Sequence, residues 1–340
     1  MARSHHLLRW LLPLILLAAL AALLLFWGGG SLTAAEVWRT LLGRSEDAAA
    51  RTVVFELRLP AVVCAVLSGA ALAVGGLLMQ TVFANPLADP SILGVNSGAG
   101  LGVAVAVLLM GGSWQAGGVV VSGFFLTMLA AFVGAAVVVA LLLLCNRLLA
   151  GNLLLLIAGV MLSLFASSLI ALLSFFATEQ GVQSYLIWGM GSFGSLSAAL
   201  LPHYAACIGV CLVWAWLLAK PLNALLLGDA YAQNAGFNVR SIRAQALLLT
   251  GLLTAFTTAV CGPVAFLGLA VPHAARFGFR TSDHRTLLPA TMLWGAAAAA
   301  ACLWVSRLPR SGGVLPLNAI TPLLGVPVVF WLLLRRRDTH

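Results

Sequence analysis

The sequence predicts an all-α polytopic membrane protein of about ten transmembrane helices, and three observations carry that prediction. First, 62% of the 340 residues are hydrophobic and only 8% are charged, where a soluble domain carries about 25% charged residues. Second, the mean hydropathy is +1.08, and the apolar residues fall into repeated runs close to the roughly 20 that cross a bilayer as a helix. Third, these runs lack the short alternating pattern of a membrane β-barrel. A chain this apolar cannot cover its own surface in water, so 1–340 reads as one transmembrane domain surrounded by lipid.

The elements follow in order. The first apolar run is 7–27, preceded by Arg3 and Arg9. A cleaved signal sequence is the rival, with Ala34 and Ala35 as small residues near a cleavage point, but its apolar core would run to about 7–15 residues. The longer run is read as a span. Residues 28–58 then form an external connection containing Leu41, Val53, Val54 and Phe55, part of it helical at the interface. Further spans are expected at 60–80, 91–110, 118–144, 153–176, 199–219, 243–261, 264–277, 287–306 and 318–334. The eighth is short and carries Pro272, so it is not expected to cross as one straight helix. Between the sixth and seventh spans lies 220–242, the longest internal connection. Its Leu225, Leu226, Leu227, Ala230, Tyr231, Ala235 and Phe237 give an amphipathic pattern interrupted by Gly228 and Gly236. Two small helices joined by a turn fit that pattern, and so does a docking surface.

With the N-terminus inside, this arrangement puts twelve of the eighteen cationic side chains inside and six outside. Cationic excess marks the cytoplasmic side, so both termini are expected there. The net charge of +9 is thus a topology signal, and it calls for no nucleic-acid partner.

What is missing narrows the chemistry. Walker A ends in Lys-Ser/Thr after a glycine-rich loop, and the one lysine is Lys220, followed by Pro221. There is no His-Glu-x-x-His pair and no Gly-x-Ser-x-Gly elbow. The histidines sit at the chain ends (His5, His6, His340) or in interfacial positions (His203, His273, His284), where a structural role outweighs a ligand role. Cys64, Cys145, Cys207, Cys211, Cys261 and Cys302 lie in or beside apolar runs and are read as buried packing, although Cys207 and Cys211 stand one turn apart. No enzyme, metal site or cofactor is expected in this chain. No acidic or basic residue falls near the centre of a span, which counts against an ion-coupled carrier, since such carriers place ionisable groups at depth.

The most informative stretch is Gln80–Ser91. Asn85-Pro86 ends the second span, because proline pushes its predecessor out of the helical region. Asp89 is a good N-cap and Pro90 a preferred first helical residue, so the third span begins there. Gly94, Gly98 and Gly102 follow at four-residue spacing and form a small face for close helix approach. A second set of breaks, at Gly262-Pro263 and Val271-Pro272-His273, hints at an inverted repeat.

At these residues the chain resembles the FecCD/BtuC-type permease subunits of type II ABC importers. The resemblance runs from about residue 55 to 334 and includes Arg58-Leu59-Pro60, Asn85-Pro86-Leu87-Ala88-Asp89-Pro90, Leu93-Gly94-Val95, Trp188 with Gly191-Ser192, Gly228-Asp229, Gly262–Leu269, Pro272-His273, Arg276, Asp283-His284-Arg285 and Gly325-Val326-Pro327. It implies a BtuC-like fold in the bacterial cytoplasmic (inner) membrane and a homodimeric pore lined largely by the fifth and tenth spans. Two copies of a separate ABC ATPase would carry ATP-Mg, and a periplasmic or lipoprotein substrate-binding protein would deliver the cargo. An iron-siderophore or haem is the first expectation for that cargo and cobalamin the alternative; an ion-coupled secondary transporter is the rival class.

The resemblance also assigns residues. Asn85 and Leu87 correspond to an inner gate, and Gly151 and Asn152 to the place of a second gate element. Leu225, Gly228, Asp229, Ala232 and Gly236 fall in the cytoplasmic segment that couples to the ATPase, and Arg58 and Arg307 match arginines that dock the binding protein. The chain departs from the family pattern at Ala61, Ala84, Leu303, Val314 and Asn318, and the loss of outer charges points to altered partner choice.

Overall fold

The computed structural model describes residues 2–27, 32–116, 119–148, 152–308 and 313–337. Helix α1 (Ala2–Phe26) is followed by α2 (Ala34–Leu41), whose Thr33 and Glu36 form a reciprocal capping box. Helix α3 (Ala48–Arg51) passes through a wide turn at Thr52–Arg58 into α4 (Leu59–Val82). A tight turn at Pro90–Leu93 leads into α5 (Val95–Ala104), which loosens over Val105–Leu109. A small antiparallel hairpin, β1 (Ser113–Ala116) and β2 (Val119–Ser122), precedes α6 (Gly123–Leu148).

Then come α7 (Asn152–Phe176), α8 (Glu179–Gly189), α9 (Leu201–Leu217), α10 (Ala219–Leu226) and α11 (Asp229–Asn234). The chain ends with α12 (Val239–Cys261), α13 (Leu267–Phe279), α14 (His284–Ser306) and α15 (Leu317–Arg337). Each of the ten apolar runs is helical over most of its described residues. Among the described residues six helices are long and apolar enough to cross a membrane, or seven when α9 and α10, bent by 49°, count as one span. The runs at Val95–Leu109 and Leu317–Pro327 are shorter apolar helices.

Helix α4 is the hub, packed against α12, α13 and α14. The 18-residue apolar window of its continuous helix Ala48–Val82 is 83% buried, against 17% for the window in α7. An axis this crowded needs small side chains. Gly69 of α4 and Gly295 of α14 meet so closely that a Cβ on either would strike the other's backbone carbonyl. Lipid gives helices no hydrophobic reason to associate with one another, so such van der Waals contact supplies the adhesion.

The structure corrects several expected boundaries. The third span begins at Val95, because Gly94 takes a left-handed φ of 81° and separates the Asp89-capped turn from α5. Gly94 therefore makes a corner, while Gly98 and Gly102 do form a close face, against Gly134 and Ala130 of α6. The fourth span begins at Gly123, since the apolar residues before it pair as a hairpin. Pro272 lies inside α13 and does not break it; the expected break at Gly262 (φ 75°) is present and extends to Phe266 (φ 69°). Helix α8, between the fifth and sixth spans, is an element that the hydropathy reading did not mark.

The six cysteines are free. Cys64 and Cys261, distant in sequence, bring their sulfurs to 3.4 Å beside Ser68, whose hydroxyl meets the Tyr204 hydroxyl at 2.7 Å. This buried cluster joins α4, α9 and α12.

Candidate translocation gate and coupling surface

The segment between α4 and α5 is built by backbone accounting at a helix end. The last carbonyls of α4 lack partners within the helix. Thr81 O accepts from Ala84 N at 3.2 Å, and Gln80 O accepts from Asn85 N at 3.2 Å. This tight wrap holds Ala84 at a φ of 46°, a conformation costly for a residue with a Cβ. Asn85 Oδ1 then accepts from Leu87 N at 2.9 Å, closing an Asx turn that turns Leu87 outward, 45% exposed. Both residues of the expected inner gate therefore share one rigid loop.

Four side chains, His273, Arg276, Gln80 and Asp89, fasten the loop. His273 Nε2 contacts Pro86 O at 2.7 Å, so the ring carries its proton there and donates. Arg276 Nη1 donates to Gln80 Oε1 at 2.6 Å, while Gln80 Nε2 donates to the Gly268 and Leu269 carbonyls. Asp89 accepts from Ser91 N and Ser91 Oγ, and its other oxygen lies over the Cα of Gly268, where a side chain would collide. Burial pushes the Asp89 carboxyl above its ordinary range, against the opposing pull of those Ser91 hydrogen bonds. Of the expected second gate element, Gly151 and the Asn152 side chain lie outside the described residues; Asn152 begins α7.

The 220–242 connection forms two short helices joined by a turn. Gly228, at φ 105°, makes the corner between α10 and α11, and Gly236, at φ 85°, ends α11. Asp229 pairs with Arg243 of α12 at 2.6 Å and fixes the angle of α11. Of the residues expected in the coupling segment, Leu225 and Ala232 lie on its inner side. Leu225 is 7% exposed and Ala232 is fully buried, because both pack inward to hold the pair of helices down. The outward face is Leu226, Leu227 (65% exposed) and Tyr231.

Arg58, expected among the docking arginines, is turned into the bundle. Arg58 is only 3% exposed and donates to Leu25 O at 2.7 Å and to Phe26 O. A cation beside the last carbonyls of a helix satisfies orphan acceptors and the helix dipole, so Arg58 anchors α1 and does not stand at the rim. Arg307 is half-buried nearby; burial, then the neighbouring Arg58 charge, lowers its pKa.

Sequence reasoning missed Asn223 and the link it makes through His284 to Thr81. Asn223 of α10 donates to Asp283 Oδ1 at 2.6 Å, and the His284 ring joins Asn223 to Thr81. The α10–α11 pair and the loop after α4 therefore sit at the same end of the bundle. Polar residues within otherwise apolar helix ends were the available signal. On α8, the Gly189, Met190 and Gly191 carbonyls are taken by Asn318 Nδ2, Asn318 N and Leu317 N, so one departure from the family pattern serves as a helix cap.

The chain is a polytopic helical bundle with a tight loop between α4 and α5 and a paired-helix projection, α10–α11, at the same end. The chain belongs to the FecCD transport family, which it matches over residues 14–335. It is 37% identical to the vitamin B12 import system permease protein BtuC of Klebsiella pneumoniae, over 97% of this chain and 94% of that protein. It is likewise 37% identical to the BtuC protein of Salmonella typhi, over 96% and 95%. Its fold is similar to a solved ABC transporter of metal-chelate type in an inward-facing conformation, with a TM-score of 0.82 and 28% identity over 95% of this chain and 97% of that one. PsaBC from Streptococcus pneumoniae shares the fold at a TM-score of 0.52 and 12% identity, over 87% and 95%. The protein is an ABC importer permease of the inner membrane, a transport component rather than an enzyme, and it works with ATPase and substrate-binding partners. This replaces the ion-coupled carrier as a reading.

Proposed function

We propose that two copies of this chain form the pathway of an importer for a bulky metal chelate, driven by two ATPase subunits that bind ATP-Mg. The observation that carries the reading is the apolar strip of Leu226, Leu227 and Tyr231, exposed on two short helices yet tied by Arg243 and Asn223 to the end of the bundle that bears Leu87. Large apolar side chains on a polar connection cost free energy in water unless a partner covers them. An ATPase groove is that partner, and α10–α11 with Asp229, Gly228 and Gly236 is its docking element. Leu87 and Asn85 form the inner gate, with Gly151-Asn152 the second gate element, and the two termini lie on the ATPase side. The poor burial of α7 supports its placement along a shared pore and against lipid. Arg307 is the remaining candidate for contact with the binding protein.

The cargo is an iron-siderophore, haem or a corrinoid. The 37% identity to cobalamin permeases favours the corrinoid, and the likeness to a metal-chelate transporter supports the wider class. The test is to purify the chain with its ATPase and binding protein, then titrate that binding protein with ferric siderophores, haem and cobalamin. Tight binding of one chelate, with ATP-dependent uptake of it into vesicles, is the expected result. Gradient-driven uptake by the chain alone would overturn the reading.

A further inference from the structure

We propose that Asn223, His284 and Thr81 form a hydrogen-bonded relay that conveys movement of the α10–α11 segment to the gate loop; this rests on the importer reading above. The relay is short and directional. Asn223 Nδ2 donates to Asp283 Oδ1 at 2.6 Å, which fixes the orientation of the amide. Its Oδ1 then accepts from His284 N at 2.8 Å and from His284 Nδ1 at 2.9 Å, so the ring proton sits on Nδ1. His284 Nε2 is left as an acceptor, and the Thr81 hydroxyl lies 2.8 Å away.

Thr81 is where two arrangements become possible. Its hydroxyl carries one proton but faces two acceptors, His284 Nε2 at 2.8 Å and Leu77 O at 2.9 Å. A displacement of α10 that draws the ring away through Asn223 passes the proton to Leu77 O. Coupling between distant sites needs such an element with two discrete states. The output is equally direct, because the Thr81 carbonyl accepts the N–H of Ala84, the residue held at φ 46° where the gate loop starts. Leu87 stands three residues further on.

The surroundings point the same way. Thr81 is 4% exposed and His284 1%, within an apolar bundle. Buried polar side chains cost free energy unless fully bonded, and packing alone would be met by valine and leucine. On the other side of α4, Gln80 with Arg276 and Pro86 with His273 hold the loop against α13. The loop thus has a fixed edge along α13 and a movable one at Thr81. These three are positioning residues, since none touches cargo or nucleotide.

The experiment uses the full chain with its ATPase in vesicles and a nitroxide at Leu87→Cys. Cys145 and Cys207 are replaced by serine, the other four cysteines being buried. Nitroxide mobility is read with and without Mg-ATP. In the parent, Mg-ATP shifts the spectrum. Thr81→Val reduces that shift about fivefold or more, the span of ordinary coupling energies, while the ATPase still co-purifies, and Thr81→Ser restores it. Asn223→Ala reduces it as well, and the double variant is no worse than the worse single one, as expected for members of one path. A full response in Thr81→Val or in Asn223→Ala, or additive losses, overturns the relay. A parent chain that retains no ATPase overturns the importer reading, and the relay with it.

Discussion

Arg276 of α13 donates Nη1 to Gln80 Oε1 of α4 at 2.6 Å, directing a cation at a neutral amide just before the Asn85–Asp89 loop. Such charge-assisted hydrogen bonds contribute about 1.5–3 kcal/mol. Arg276→Ala is expected to lower the melting temperature in detergent and to loosen the loop, read as faster hydrogen exchange over 84–89. Arg276→Lys should recover part of both effects. An unchanged melting temperature would mean that the pair carries no weight.

Asp229 and Arg243 meet at 2.6 Å on a half-exposed surface. Exposed pairs contribute roughly 0–1 kcal/mol to stability, so Asp229→Arg should barely change unfolding. It should nonetheless cut transport per ATP about fivefold or more, because α11 loses its angle at the ATPase face. Vesicle uptake measured beside phosphate release decides this, and full coupling would count against the docking role of α11.

Asp89 is buried, and its carboxyl is held above its ordinary value of 3.8 by desolvation. A carboxyl raised in this direction favours the fold fully below its unfolded value and penalises it as pH rises through the folded one. Asp89→Asn keeps the acceptor oxygen for Ser91 and removes the charge. The variant should therefore melt higher than the parent at about pH 8, and the advantage should fade towards about pH 4. A constant difference across that range would show that the charge is not the cause.

Gly69 and Gly295 admit no side chain between α4 and α14. Gly69→Ala forces two packed backbones apart, which costs about 1–3 kcal/mol in a close-packed interior. Lower yield and a lower melting temperature are expected, while Gly209→Ala on α9, where a Cβ meets nothing within 4 Å, should be silent.

Asn318 Nδ2 caps the Gly189 carbonyl at 2.7 Å. Asn318→Gly, which restores the family's residue, should free the end of α8 at a cost of about 1 kcal/mol. Faster hydrogen exchange over 186–191 reports it, and unchanged exchange there would remove the cap from the account.

The ten apolar runs and the Asn85–Asp89 turn were legible in the chain because each depends on local physics. A run long enough to bury its backbone in lipid becomes a helix wherever it packs. Proline ends one helix, and aspartate caps the next turn, whatever lies opposite. The paired helices of 220–242 were legible for the same reason, from glycines at the corners of an amphipathic stretch.

What the chain could not announce is which way a side chain faces once helices meet. Leu225 and Ala232 turn inward while Leu226, Leu227 and Tyr231 stay out; only the neighbours of α10 and α11 decide that. Arg58 turns to the carbonyls of α1 because tertiary packing brings that helix end beside it. Asn223, His284 and Thr81 come from three separate helices, and no spacing rule connects them. The sequence by itself determined a lipid-spanning bundle and its break at Asn85-Pro86, since those follow from the backbone within each segment. The tertiary structure alone decided which polar groups meet, because a hydrogen bond between distant segments exists only after the helices have packed.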